Sequence, residues 1–120
     1  SSMSPVIVFA EDGELKLVAG SPGGNSIIAY LAKVLIGVLR GGQAVQTTVD
    51  WPNVIARGDT VRVETGVPEG EAWAAELVSQ GYPVQSREGE NSGLHVIVVT
   101  DSGLVGAADP RREGRVIAVD

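Results

Sequence analysis

The chain predicts an α+β layered domain with a mainly antiparallel sheet and two main helices. Three observations lead there. Short apolar runs come in pairs joined by turn residues, two longer helical segments interrupt those pairs, and 120 residues with 43% hydrophobic content suffice for one core in a single domain, residues 1–120. Strands that arrive as hairpins do not fit a doubly wound nucleotide fold, where they come singly between helices.

The elements follow in order. Val6, Ile7, Val8 and Phe9 form a continuous apolar run, as in a strand covered on both faces. Glu11-Asp12-Gly13 predicts a hairpin, with Asp-Gly supplying the positive φ angles of a type I′ turn. Leu15, Leu17 and Ala19 then alternate with Lys16 and Val18. This second strand delivers Gly20-Ser21-Pro22-Gly23-Gly24, a specified turn whose backbone amides no side chain covers. A helix over residues 26–40 follows, with Asn25 or Ser21 placed to cap it. Free N–H groups at such a start favour an anion or a developing oxyanion, although an ordinary strand-to-helix turn has the same sequence needs.

That helix, about 22 Å long, is apolar around most of its circumference, which implies burial between layers. Ala29, Lys33, Gly37 and Arg40 alone make a narrow polar or small stripe, and Gly41-Gly42 ends the helix. A short helical piece over 43–48 precedes the break at Asp50-Trp51-Pro52. Strands over 53–56 and 60–65 flank Arg57-Gly58-Asp59. Pro68 opens a helix with Glu69 and Glu71 in its first turn, Trp73, Ala74, Leu77 and Val78 as its buried face, and Gly81 at its end. Strands over 82–85, 94–100 and 104–108 follow, with a polar loop over 87–92, a hairpin turn at Asp101-Ser102-Gly103, and strand character over 115–119.

Composition removes several function classes. There is no cysteine, hence no disulfide framework and no thiolate zinc site, and the single histidine, His95, speaks against a multi-histidine metal site or a His-based triad within these residues. No cofactor or metal is implied. A net charge of −6 argues against nucleic acid or an anionic membrane surface as partner. The longest apolar run is interrupted by Lys33 and is too short to span a bilayer, and no signal peptide is visible. Gly20-x-x-Gly23-Gly24 is neither a dinucleotide fingerprint nor a Walker loop, since no Gly-Lys-Ser/Thr follows. The opening Ser1-Ser2-Met3 has the look of an internal segment as much as of a cloning remnant.

Three stretches in register resemble the γ-glutamyltranspeptidase family. They are Ser1-Ser2-Met3-Ser4-Pro5, Gly20-Ser21-Pro22-Gly23-Gly24, and Gly106-Ala107-Ala108-Asp109-Pro110-Arg111-Arg112-x-Gly114. Their order and spacing, with the intervening helix, the Val61-Arg62-Val63-Glu64 strand and the helix ending at Gly81, are similar to the C-terminal part of that family's small subunit over nearly the whole chain.

The resemblance implies part of an N-terminal-nucleophile hydrolase fold, a four-layer αββα sandwich built by two subunits of one cleaved precursor. It implies transfer or hydrolysis of the γ-glutamyl group of glutathione-like donors, with water, an amino acid or a dipeptide as acceptor. The chemistry asks for a nucleophile, a base and an oxyanion hole. The matching oxyanion donors are the backbone N–H groups of Gly23 and Gly24, and the matching glutamyl-binding hydroxyls are Ser1 and Ser2. Asp109-Pro110-Arg111 matches a conspicuous family element, read here as a turn closing the last hairpin rather than a direct site element. A periplasmic or extracellular location is what the family suggests.

The departures carry equal weight. The family's catalytic threonine lies in a Thr-Thr-His-like stretch upstream of the Ser-Ser-Met segment, and nothing like it occurs in this sequence. Ser1 matches a binding residue, so it is not the expected nucleophile even though a free amine beside a hydroxyl suits the superfamily. Asp50-Trp51-Pro52-Asn53 stands where the family has an Ala-Pro-Arg-type segment. The expectation is therefore a fragment, inactive alone, completed by an upstream part of the same precursor and prone to dimerise in isolation through an uncovered face. The alternative is a standalone, non-catalytic folding or interaction domain of the same ancestry. His95 reads as a core or edge histidine, Arg57 and Asp59 as turn residues, Glu69, Glu71 and Glu76 as the wet face of a helix, and Trp51 and Trp73 as core.

Overall fold

The computed structural model describes residues 2–119. Strands β1 (Val6–Phe9), β2 (Leu15–Gly20), β6 (His95–Thr100) and β7 (Gly103–Ala108) form a four-stranded sheet in the order β1-β2-β6-β7, every neighbour antiparallel. Strands β3 (Val54–Arg57), β4 (Thr60–Thr65) and β5 (Val84–Glu88) form a second, three-stranded sheet. Helix α1 (Ile27–Leu35) lies between a 3₁₀ turn, Gly24–Ser26, and a π-helical turn, Ile36–Arg40; α2 (Val45–Asp50) and α3 (Pro68–Ser79) complete the elements.

The predicted 26–40 helix thus exists, but it changes pitch at both ends. The alternation in β2 does its expected work. Leu17 and Ala19 are buried on the inner face, where they join Val96, Ala107, and Ile27, Leu31 and Val34 of α1 in the main core. The other face carries the row Ile7, Val18, Ile97, Gly106, set side by side by strand register, and its large members are exposed. The first strand is therefore covered on one face only within the described residues, not on both.

Four expectations change. The β1–β2 connection is not type I′, because Gly13 alone in it has a positive φ, 88°. Gly13 N–H donates to the Ala10 carbonyl and Asp12 Oδ1 accepts from Glu14 N–H, so the loop is longer, and the register shifts at Phe9. The β4–α3–β5 passage is a parallel crossover, the one parallel pairing among the described strands, in a sheet arrangement that is otherwise antiparallel. Residues 115–119 form no strand. Helix α3 buries Gly70 and Ala74 rather than Val78, because Gly70 sits so close to β4 that a Cβ there would lie 2.0 Å from the Glu64 carbonyl oxygen.

The small stripe on the first helix makes specific contacts. Gly37 is buried against Thr48 and Trp51, and Lys33 donates to the carbonyls of Val49 and Trp51 at 3.0 and 2.9 Å. The stripe is the seam along which α2 docks, while Ile28 and Ile36 face outward.

Candidate functional site

The antiparallel pairing of β2 with β6 sets Gly20 opposite His95. The end of β2 therefore lies beside the start of β6, and the Gly20–Gly24 turn rests against the loop that precedes β6. Contacts follow from that placement. Gly93 N–H donates to Ser21 Oγ at 3.0 Å, Ser21 Oγ–H donates to the Pro22 carbonyl at 2.7 Å, and a Cβ on Gly93 would lie 2.8 Å from Pro22. The turn thus rests on Gly93, just past the 87–92 segment read as a loop, of which residues 87 and 88 in fact belong to β5.

Within the turn, Gly23 and Gly24 have φ of 131° and 60°. Both values lie where side-chain-bearing residues are strained, which is why two glycines stand here. Ser26 N–H donates to the Gly23 carbonyl at 3.3 Å, closing the first turn, while the Gly23 and Gly24 amides have no acceptor among the described residues. Neither Asn25 nor Ser21 caps the helix: the caps at Gly23 and Ser26 carry no side-chain hydrogen bond. Ser21 is taken by Gly93, and Asn25 Oδ1 accepts from the Ser2 hydroxyl at 3.5 Å. Two uncovered N–H groups at a helix start form a place where negative charge is favoured.

Ser2 is thereby brought to the turn. Ser1 lies outside the described residues. Ser2, Asn25, Ile28, Ile55 and Arg57 line an open cleft of about 400 Å³ that runs from the turn along α1. Arg57 borders this cleft, whereas Asp59 does not.

Beneath the turn lies a charged cluster. A Cβ on Gly23 would fall 2.5 Å from Tyr30 Cε2, so the glycine rests directly on the tyrosine ring. The Tyr30 hydroxyl donates to Glu90 Oε1 at 2.8 Å, and Arg62 holds the same carboxylate at 2.7 Å through Nε. Arg62 also donates to Ser26 Oγ at 3.0 Å. Burial, reinforced by the adjacent Glu90, holds the Tyr30 phenol above its usual pKa and keeps it a donor. The hydrogen bond to Glu90 likewise raises Arg62 in spite of partial burial.

A second cluster joins the two sheets. Arg111 forks onto Glu64 at 2.7 and 2.8 Å and reaches Asp109 at 2.9 Å, and it donates to the Val49 and Trp51 carbonyls beside Lys33. Burial alone would raise the Glu64 and Asp109 carboxyls. The Arg111 and Asn53 donors outweigh it at Glu64, the Ser92 and Arg111 donors outweigh it at Asp109, and both groups stay below their usual range. Lys33 is pushed down to about 8 by burial first and by Arg111 second. Asp109 also accepts from Leu94 N–H and Arg111 N–H, so Asp109-Pro110-Arg111 closes the last hairpin as a structural turn. Asn53 shares the cluster through its N–H groups, but its buried Oδ1 has no partner among the described residues.

The other residues singled out in the sequence take structural places. Trp51 and Trp73 pack edge to face with centroids 6.0 Å apart. His95 opens the central strand β6 between Gly20 and Ala108 and is exposed, its Nδ1 on the Gly93 carbonyl and its ring against Gly114. Sequence reasoning missed Tyr30 and Glu90. A tyrosine inside an otherwise apolar helix is a signal that some acceptor must meet its hydroxyl, but nothing in the 87–92 segment marks Glu90 as that acceptor.

The helix-covered antiparallel sheet is of the α+β kind that N-terminal-nucleophile hydrolases share. Solved structures agree: a γ-glutamyltranspeptidase from Pseudomonas nitroreducens complexed with L-DON is similar over 100% of this chain and 63% of its own, at a TM-score of 0.84 and 31% identity. The chain belongs to the γ-glutamyltranspeptidase family, whose pattern it matches over residues 1–119. It is 34% identical over 113 residues to the glutathione hydrolase proenzyme of Escherichia coli, covering 92% of this chain and 19% of that protein. It is 31% identical over 117 residues to the corresponding proenzyme of Pseudomonas aeruginosa, covering 95% and 21%. The chain thus spans about a fifth of the length of the curated relatives it matches.

Proposed function

We propose that this chain is the C-terminal part of the small subunit of an enzyme that transfers or hydrolyses the γ-glutamyl group of glutathione-like donors. Its contribution is the oxyanion hole, made by the Gly23 and Gly24 amides, together with glutamyl-binding hydroxyls on Ser1 and Ser2. The nucleophilic threonine comes from an upstream part of the same precursor, so the 120 residues alone are inactive. The observation that carries this reading is the pair of uncovered amides at φ 131° and 60° at the start of a buried helix. As the donor carbonyl becomes tetrahedral, its oxygen gains negative charge, and fixed N–H dipoles stabilise that charge without reorganisation. Ser2, held at Asn25, presents its hydroxyl beside the turn for the donor's glutamyl end.

The test is deletion of a single donor. Gly24→Pro is unsuitable, because φ at this residue is +60° and the pyrrolidine ring requires about −65°. An ester at the Gly23–Gly24 linkage of the full-length protein removes the Gly24 N–H and leaves φ free. On a chromogenic γ-glutamyl anilide, kcat falls by about 10²-fold or more. An unchanged kcat in the folded ester variant overturns the oxyanion role. Turnover by the 120-residue chain alone that is lost on Ser1→Ala overturns the assignment of the nucleophile to another segment.

A further inference from the structure

The Gly23–Gly24 turn is held by contacts that the acyl-transfer chemistry does not itself use. They close a circuit. Gly23 rests on the Tyr30 ring; the Tyr30 hydroxyl bonds Glu90; Glu90 pairs with Arg62; Arg62 bonds Ser26 Oγ; and Ser26 N–H returns to the Gly23 carbonyl. Two of its side chains, Tyr30 and Glu90, have few alternatives. Tyr30 is 1% exposed, so its ring cannot swing away, and its hydroxyl has no water to fall back on. The Glu90 side chain is 1% exposed; its Oε1 accepts from Tyr30 and from Arg62 Nη2, and its Oε2 from Arg62 Nε. The parts come from separate elements: Tyr30 from α1, Arg62 from β4 of the second sheet, and Glu90 from the loop before β6. A circuit of that kind transmits the packing of both sheets to two residues whose glycines have no side chains of their own to hold them.

We propose that Tyr30, Glu90 and Arg62 are positioning residues that fix the direction of the Gly23 and Gly24 amides. This rests on the reading of the turn as an oxyanion hole. The ring is the floor under Gly23, Glu90 sets the height of that floor, and Arg62 locks the floor to the first helical turn through Ser26. A donor aimed at developing charge loses most of its effect when displaced by about an ångström. The circuit therefore bears on kcat rather than on donor affinity.

Two measurements test it. In the 120-residue chain, carrying Val18→Lys and Ile97→Lys on the outer sheet face to keep it monomeric, amide resonances and hydrogen exchange are recorded by NMR with and without Tyr30→Phe or Glu90→Gln, changes that keep side-chain volume and so favour a folded protein. The expected result is displaced Gly23 and Gly24 resonances and about tenfold faster exchange at the Ser26 amide, with amides of β6 and β7 in place. Gly23 and Gly24 resonances that stay in place in both folded variants overturn the proposal. In the full-length protein, both variants lower kcat on the γ-glutamyl anilide by about 10-fold or more, with KM within about twofold. A raised KM at constant kcat overturns it as well. The Gly24 ester separates the two readings. If the ester leaves kcat intact while the NMR response appears, the oxyanion reading fails and the positioning circuit stands. If the ester removes activity while Tyr30→Phe and Glu90→Gln change neither resonances nor kcat, the circuit fails alone.

Discussion

The Arg111 guanidinium forks onto Glu64 with Nη2–Oε1 and Nε–Oε2 distances of 2.7 and 2.8 Å, joining the segment after β7 to strand β4 of the other sheet. The pair is well buried, with side-chain exposures of 14% and 8%, and Asp109 completes the fork's other side. Taking away the cation leaves two carboxylates facing one another out of water. Arg111→Met is accordingly expected to destabilise the chain by about 3 kcal/mol or more, read as a lower denaturant midpoint. Arg111→Lys recovers only part of that loss, since an ammonium cannot span both carboxylates and two backbone carbonyls at once.

Much of this arrangement has no local signature. The hairpins, the glycine turn and the three helices follow from spacing and turn chemistry, which act between near neighbours. The β2–β6 pairing, which sets the turn against the loop before β6, joins residues far apart in the chain, and no periodicity in either strand names its partner. For the same reason Asp109-Pro110-Arg111 is legible as a turn, but its hold on Glu64 is not. The stripe of Ala29, Lys33, Gly37 and Arg40 is legible as small or polar, but its spacing does not say what packs on it; at Lys33 and Gly37 it is α2 and Trp51 that occupy the space. The γ-glutamyltranspeptidase family is legible because its three motifs lie in register. The supports under Gly23 are not, since Tyr30 and Glu90 become a pair only through the fold.

Stability should depend on pH at both ends of the scale, with opposite causes. Glu64 and Asp109 have folded pKa values below their ordinary 4.5 and 3.8, so their contribution is complete above those values and is lost as pH falls through the folded ones. Lys33 behaves in reverse. Its folded pKa is about 8 against an ordinary 10.5, so between these values the unfolded chain holds more protons and stability rises with pH. Denaturant melts across pH 8 to 10 in wild type and Lys33→Met check this: the rise is present in the first and absent in the second. Arg111 still donates to the Val49 and Trp51 carbonyls in the variant, so it remains folded. An equal rise in both proteins would assign the effect elsewhere.

The two glycines of the turn are predicted to differ in their tolerance of a methyl group. At Gly23 a Cβ meets the Tyr30 ring at 2.5 Å and φ is 131°, so overpacking and backbone strain add. Gly23→Ala should cost about 3 kcal/mol. At Gly24 a Cβ meets nothing within 4 Å and φ is 60°, a left-handed angle an L-residue can adopt. Gly24→Ala should cost about 1 kcal/mol. Chemical denaturation of both variants measures the difference, and equal costs would mean that Tyr30 does not support Gly23.

The outer face of the four-stranded sheet is open over β1 and β2 among the described residues. Strand register lines up Ile7, Val18 and Ile97 across β1, β2 and β6, and the first is 61% exposed. Val116 packs over Gly106, and residues 116–119 share a cleft with Ile97 and Leu104, so the cover reaches the β6–β7 end of the row and leaves Ile7 and Val18 open. A contiguous apolar strip of this kind gains by being covered. In a two-sheet sandwich the inner faces of the sheets pack on one another, and the strip suits that place in the larger protein proposed above. The isolated 120-residue chain is therefore expected to self-associate in light scattering as its concentration rises. Val18→Lys together with Ile97→Lys, which place two cations side by side in the strip, should return it to a monomer without altering the buried core residues Leu17 and Val96. A wild-type chain that stays monomeric at every concentration would argue against the fragment reading and for the alternative of a domain complete in itself.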